Sequence, residues 1–111
     1  ETEETVKSEV EKAWDAVMVV HDEVMPKMSD LNRLKKELKQ DTVKNAEMID
    51  MLTKAQDGMM DWMHNLQPLK TLKTMPEAEA KAYLDGEMTS VSEVKRMMLE
   101  SIEKAESELQ K

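Results

Sequence analysis

The chain predicts an all-α fold, an antiparallel up-down-up three-helix bundle with long, proline-kinked helices. Three observations lead there. Apolar residues recur at helical spacing along nearly the whole length. Glycine and proline are scarce, two and three of 111 residues, which leaves few places to turn. Much of the remainder is Ala, Glu, Lys, Leu and Met, all good helix formers. With 40% hydrophobic and 36% charged residues, the composition is too apolar for disorder and too charged for a membrane-embedded protein. The length suits one domain spanning 1–111.

The first helix is expected at about 3–39. Val6, Val10, Trp14, Val17, His21, Val24, Met28, Leu31 and Leu38 line one stripe. Met18, Met25, Val20 and Leu34 widen it, as in a bundle helix. Pro26 removes one backbone bond, to the Asp22 carbonyl, but the stripe keeps phase, so one kinked helix is expected.

The second helix is expected at about 42–73, with Asp41 or Thr42 as N-cap. Met48, Leu52, Ala55, Met59, Trp62 and Leu66 alternate spacings of four and three, and Leu69, Leu72 and Met75 continue the phase past Pro68. Continuation of the helix through Pro68 is the expectation. The third, about 76–110, opens on Pro76 followed by Glu77 and Glu79, a helix start. Its stripe is Leu84, Met88, Val91, Val94, Met98, Ile102, Ala105 and Leu109; the main risk of a break lies at Asp85-Gly86, and Ser90 with Glu93 also has the pattern of a capping box. Short connections make the three antiparallel neighbours in a bundle roughly 50 Å long.

That topology gathers the unusual residues. Twelve residues are methionine, none is phenylalanine or cysteine, and both histidines lie in methionine clusters. A turn near residue 40 sets His21 level with Met59 and Met60, and Met18 level with Trp62 and Met63; a turn near 75 brings Met88 level with Trp62. With Met59 at a heptad a position, Trp62 and Met63 face the core while Met60 and His64 face outward. His21, also at an a position, is expected to be largely buried.

Several chemistries are excluded or made remote. Without cysteine there is no disulfide, thiolate metal site or thiol nucleophile. A net charge of -8 and a pI near 4.8 argue against DNA or RNA as partner, because phosphate contacts need Lys and Arg. No apolar run approaches the ~20 residues of a membrane span. The chain begins at Glu1 rather than Met and shows no signal peptide, which reads as a processed or trimmed N-terminus.

Four readings of the Met/His slab remain. Met18, His21 and Met25 share one helix face, and Met60 with His64 is an i, i+4 pair; with Met63 these thioethers and imidazoles form a candidate site for a soft metal, copper(I) above all. A Met stripe at helical spacing is ordinarily core, and a Phe-free chain needs such filling. Asp61 and His64 repeat the i, i+3 spacing of di-iron bundles, but no second such motif occurs, since Met18 stands three residues before His21. Acid–base catalysis by His21 with Asp22 or Glu23 is disfavoured, because those carboxylates are expected to point away from the His21 face. Docking of another helix on exposed Met60 and Met97 demands least chemistry, because Met surfaces repack easily.

At Trp14, at the string His21-Asp22-Glu23-Val24-Met25-Pro26-Lys27-Met28, at Met59-Met60-Asp61-Trp62-Met63 and at Tyr83-Leu84, the chain resembles small uncharacterised envelope lipoproteins of Bacteroidota, often labelled "viral A-type inclusion protein". The resemblance implies export to the cell envelope or periplasm and a lipid anchor upstream of residue 1, and carries no activity. The expectation is a non-enzymatic helical module acting by protein–protein contact or structural support, with periplasmic copper binding as the alternative.

Overall fold

The computed structural model describes residues 8–110. Among them stand five α-helices, one 3-10 turn and no strand: α1 (Glu9–Val24), α2 (Lys27–Leu38), the turn at Lys39–Asp41, α3 (Ala46–Asn65), α4 (Leu69–Leu72) and α5 (Glu77–Leu109).

The first boundary departs from the expected residue 3. Ser8 is extended and caps α1: its hydroxyl accepts from Glu11 N–H at 3.1 Å, and its own N–H donates to the Glu11 carboxylate at 3.1 Å. This reciprocal capping box satisfies two otherwise orphaned donors, and Glu9 and Glu11 add charge favourable to a helix N-terminus. Positions 3–7 lie outside the described residues.

Pro26 divides the expected single helix into α1 and α2. Met25 N–H still donates to the His21 carbonyl at 2.9 Å, but proline has no donor, and the next bond is the tighter one from Met28 to Met25 at 3.0 Å. Met25 and Pro26 both keep right-handed helical dihedrals, so the path continues. Val10, Val17, Val24, Leu31 and Leu38, seven residues apart, are accordingly all buried.

The second expected helix is corrected at both ends. Asp41 caps a turn instead of a helix: its carboxylate accepts from Lys44 N–H at 3.0 Å, and the Asn45 side chain donates to the Leu38 carbonyl at 2.9 Å. Helix α3 therefore starts at Ala46. It stops at Asn65 and does not run through Pro68, because the residue before a proline is pushed out of the helical region. Leu66 (ψ 128°) and Pro68 (ψ 150°) are extended, and Gln67 N–H donates to the Tyr83 hydroxyl at 2.9 Å. A single turn, α4, follows and still buries Leu72.

Helix α5 runs unbroken through Gly86 for 33 residues. It is the element on which the others close: α1 and α3 both pack along it, and α2 packs on α3 and α5. Ion pairs Glu9–Lys81 (3.6 Å), Glu23–Lys95 (2.7 Å) and Arg33–Glu106 (3.6 Å) rise in step, so α1 and α2 run in the direction of α5. Helix α3 runs against it, with Gly58 opposite Val94 and the Met51 carbonyl accepting from the Ser101 hydroxyl at 3.5 Å. The whole measures 59 × 25 × 16 Å, somewhat longer than the sequence estimate.

The core joins Val17, Val24, Leu31 and Leu34 of the first two helices to Leu52, Ala55 and Met59 of α3 and to Leu84, Val91, Val94 and Met98 of α5. Burying a side chain of this size stabilises by about 1.5–3 kcal/mol. Buried Ser101, which the hydrophobic stripe passes over, stands where α5 meets α3.

Candidate functional site

The seam between α1 and α3 holds the slab of unusual residues. These helices are not among the closely packed pairs. Long side chains bridge them: the His21 and Trp62 rings lie 5.9 Å apart and tilted by 32°. That contact falls most of a turn beyond the expected His21–Met59/Met60 level, because the connection through Asn45 is longer than a turn at residue 40. A second bridge, Gln56 amide to Asn32 at 2.6 Å and Lys35 ammonium to Gln56 at 2.9 Å, fixes the register between α2 and α3. Between the two bridges, Met25 stands at the height of Met59 and Met60.

The heptad reading of α3 holds. Met59 and Trp62 are buried, Met63 is half-buried and packed on the core, and Met60 (51% exposed) and His64 face outward. On α1, Met18 and Met25 are half-buried. The His21 side chain keeps 17% of its surface exposed, so it is largely but not fully buried. Two further expectations are corrected. Asp22 does not point away from His21: its carboxylate sits 3.0 Å from His21 Nδ1 and fixes the ring, adjacent residues on a helix being able to meet when a short carboxylate folds back. Met97 is half-buried against the core rather than exposed, since it follows the stripe residue Val94 by three.

All six sulfur and imidazole candidates, Met18, His21, Met25, Met60, Met63 and His64, thus belong to the two helix faces that meet at or flank this seam. Among the described residues, no three His, Asp or Glu side chains gather as a hard-metal cluster. Buried Trp62 carries an indole N–H with no hydrogen-bond partner among the described residues, a cost of about 1–3 kcal/mol.

The stretches of α1 and α3 that supply the seam also lack cations on their solvent faces. Between Lys12 and Lys27, and again between Lys54 and Lys70, no Lys or Arg occurs, although the chain has 16. Those two stretches contain Asp15, Asp22, Glu23, Asp57 and Asp61. Glu23 is taken up by Lys95 on the α5 side. Asp22, Asp57 and Asp61 are exposed, and none makes an ion pair with Lys or Arg among the described residues. Elsewhere opposite charges alternate and brace the helices, as in Glu11–Lys73 at 2.8 Å. The Glu11 carboxyl is held below its ordinary value chiefly by its bond to Lys73, and also by the Ser8 N–H. Shallow depressions at the end where α1 and α5 begin are lined by Glu9, Glu77, Lys81 and Asp85, and by Ser8, Lys73 and Met75.

No helix among the described residues is long and apolar enough to cross a membrane. No protein-family model, curated protein or solved structure matches the chain.

Proposed function

We propose that the chain is an up-down-up three-helix bundle, with α1–α2, α3–α4 and α5 as its arms, serving as a non-enzymatic module of the cell envelope that works by contact with another protein. The observation that carries this reading is the α1–α3 seam. Its methionines are half-buried to exposed, and its helices approach through side chains rather than backbones. Methionine surfaces of this kind adapt to a partner. The envelope location and an anchor upstream of residue 1 rest on the lipoprotein-like strings around Trp14–Met28 and Met59–Met63. Nucleic acid is not the partner proposed, because the net charge of -8 repels phosphate.

A photocrosslinking residue at Met60, with Glu103 on the outer face of α5 as control, tests the reading in the cells of origin. Discrete adducts with an envelope protein from Met60 alone are expected; equal labelling from both positions, or adducts from neither, refutes it. A second reading is favoured by the shared faces of Met18, His21, Met25, Met60, Met63 and His64: a soft-metal site for copper(I). Anaerobic copper(I) titration checks it, and binding unaffected by His21→Ala with His64→Ala would sink it.

A further inference from the structure

Met59 and Met60 are neighbours in the chain and opposites in the fold. One helical step of about 100° separates them. It puts Met59 in the core, fully buried, and leaves Met60 51% exposed on the outer flank of α3. All twelve methionines lie among the described residues, and Met60 alone of them is exposed. Met59 and Met98 are fully buried and the rest are half-buried. The chain has no cysteine, so no thiol competes for a two-electron oxidant. A thioether reacts through a sulfur lone pair, and the oxidant must touch that sulfur. Access therefore ranks the methionines, and Met60 comes first.

We propose that Met60 is a modification site for peroxides, and that its sulfoxide turns off contact with the protein partner. The inference rests on the protein-contact reading and names its regulation. The oxidant alone balances the step. A lone pair on Met60 Sδ attacks one peroxide oxygen and forms the S–O bond. The O–O bond breaks, and the leaving hydroxide takes the proton of the attacked oxygen and departs as water. Sulfur gives up two electrons and the peroxide takes them. A polar, chiral side chain with an acceptor oxygen then stands where an adaptable apolar one stood, a change that disrupts methionine-rich contacts. Because the Met60 side chain lies at the surface, the bundle keeps its core through this change. A sulfoxide at Met59 or Met98 would instead carry a polar oxygen into that core, at the cost of burying it without a partner.

Peptide mass spectrometry after timed exposure of the intact chain to dilute hydrogen peroxide reads the oxygen gained at each methionine. Met60 should react at least about tenfold faster than Met59 and Met98, which the oxidant reaches only when their helices open. It should also lead every half-buried methionine, whereas in concentrated urea all twelve should react alike. The melting temperature should not move when Met60 alone carries the oxygen. Contact is read with the photocrosslinking residue moved to His64, exposed one turn beyond Met60 on the same flank. Adducts formed by the untreated protein should disappear after peroxide. They should also be absent with Met60→Gln, whose amide is polar without oxidation. With Met60→Leu, apolar and free of sulfur, they should persist through peroxide.

A second methionine that reacts as fast as Met60 in the folded chain, or even labelling of all twelve, would overturn the modification site. Adducts that persist once Met60 is oxidised would overturn its control of the contact. Loss of adducts from Met60→Leu in peroxide would assign the effect to another residue and do the same. Adducts absent from every untreated form would remove the contact reading and the control together, while the mass spectra still decide where oxygen enters.

Discussion

Replacing both glycines by alanine should make the protein more stable, by an amount the structure sets. Gly58 and Gly86 lie inside α3 and α5, and neither has a positive φ. Each therefore carries the backbone entropy of glycine without using its freedom, a handicap of about 1 kcal/mol against alanine. A Cβ on Gly58 would stand 3.8 Å from Val94 Cγ2, an ordinary van der Waals contact; one on Gly86 would meet nothing within 4 Å. Val94, the neighbour of Gly58, follows Gly86 by eight residues of one helix, about 12 Å at ~1.5 Å rise per residue. Effects at that separation add, so Gly58→Ala with Gly86→Ala should gain about 2 kcal/mol. For a domain of this size that is about 8 °C in melting temperature. Thermal and urea unfolding followed by circular dichroism measures it. A loss of stability from Gly86→Ala would refute a continuous α5 through that position, and a loss from Gly58→Ala would show α3 and α5 closer than the 3.8 Å contact implies.

Three other outcomes are expected. Met59→Ala should cost about 2–5 kcal/mol in urea unfolding, as a fully buried side chain leaving a cavity, whereas Met60→Ala should stay within about 0.5 kcal/mol. Ser8→Ala should cost about 1 kcal/mol and raise amide exchange in the first turn of α1, since it removes the hydroxyl that Glu11 N–H uses. The Glu11 carboxyl, pulled below its ordinary 4.5 mainly by Lys73, contributes stability that is present above pH 4.5 and is lost as pH falls through its folded value. Lys73→Met should accordingly raise the Glu11 titration midpoint, read by NMR of its side-chain carboxyl carbon, and narrow the stability gained between acid and neutral pH. An unmoved midpoint would show that Lys73 is not the cause.

Much of the architecture is legible in the sequence. The all-helical class, the start of α5 behind Pro76, the phase-keeping stripe across Pro26 and the outward turn of Met60 and His64 are local or periodic properties, and the structure agrees with each. The boundaries were harder. The Ser8–Glu11 capping box is written in the sequence as Ser-x-x-Glu and marks the start of α1. Pro68 reads as a kink in the sequence because Leu69 and Leu72 stay in phase. Phase shows only that a side chain reaches the core; the backbone between Leu66 and Pro68 leaves the helix all the same.

The candidate site divides in the same way. Residue spacing alone brought Met18, His21 and Met25 to one face and paired Met60 with His64, because helix geometry fixes which side chains lie together within about two turns. The cation-free stretches flanking them could also be read from the chain. Tertiary structure alone decided that the two faces meet as a seam bridged by His21 and Trp62, that Asp22 holds the His21 ring, and that α1 and α3 stay too far apart for close backbone packing. Those outcomes depend on loop length through Asn45, on the break before Pro68 and on both helices packing against α5. Each is a sum over contacts distant in sequence, and no local pattern encodes such a sum.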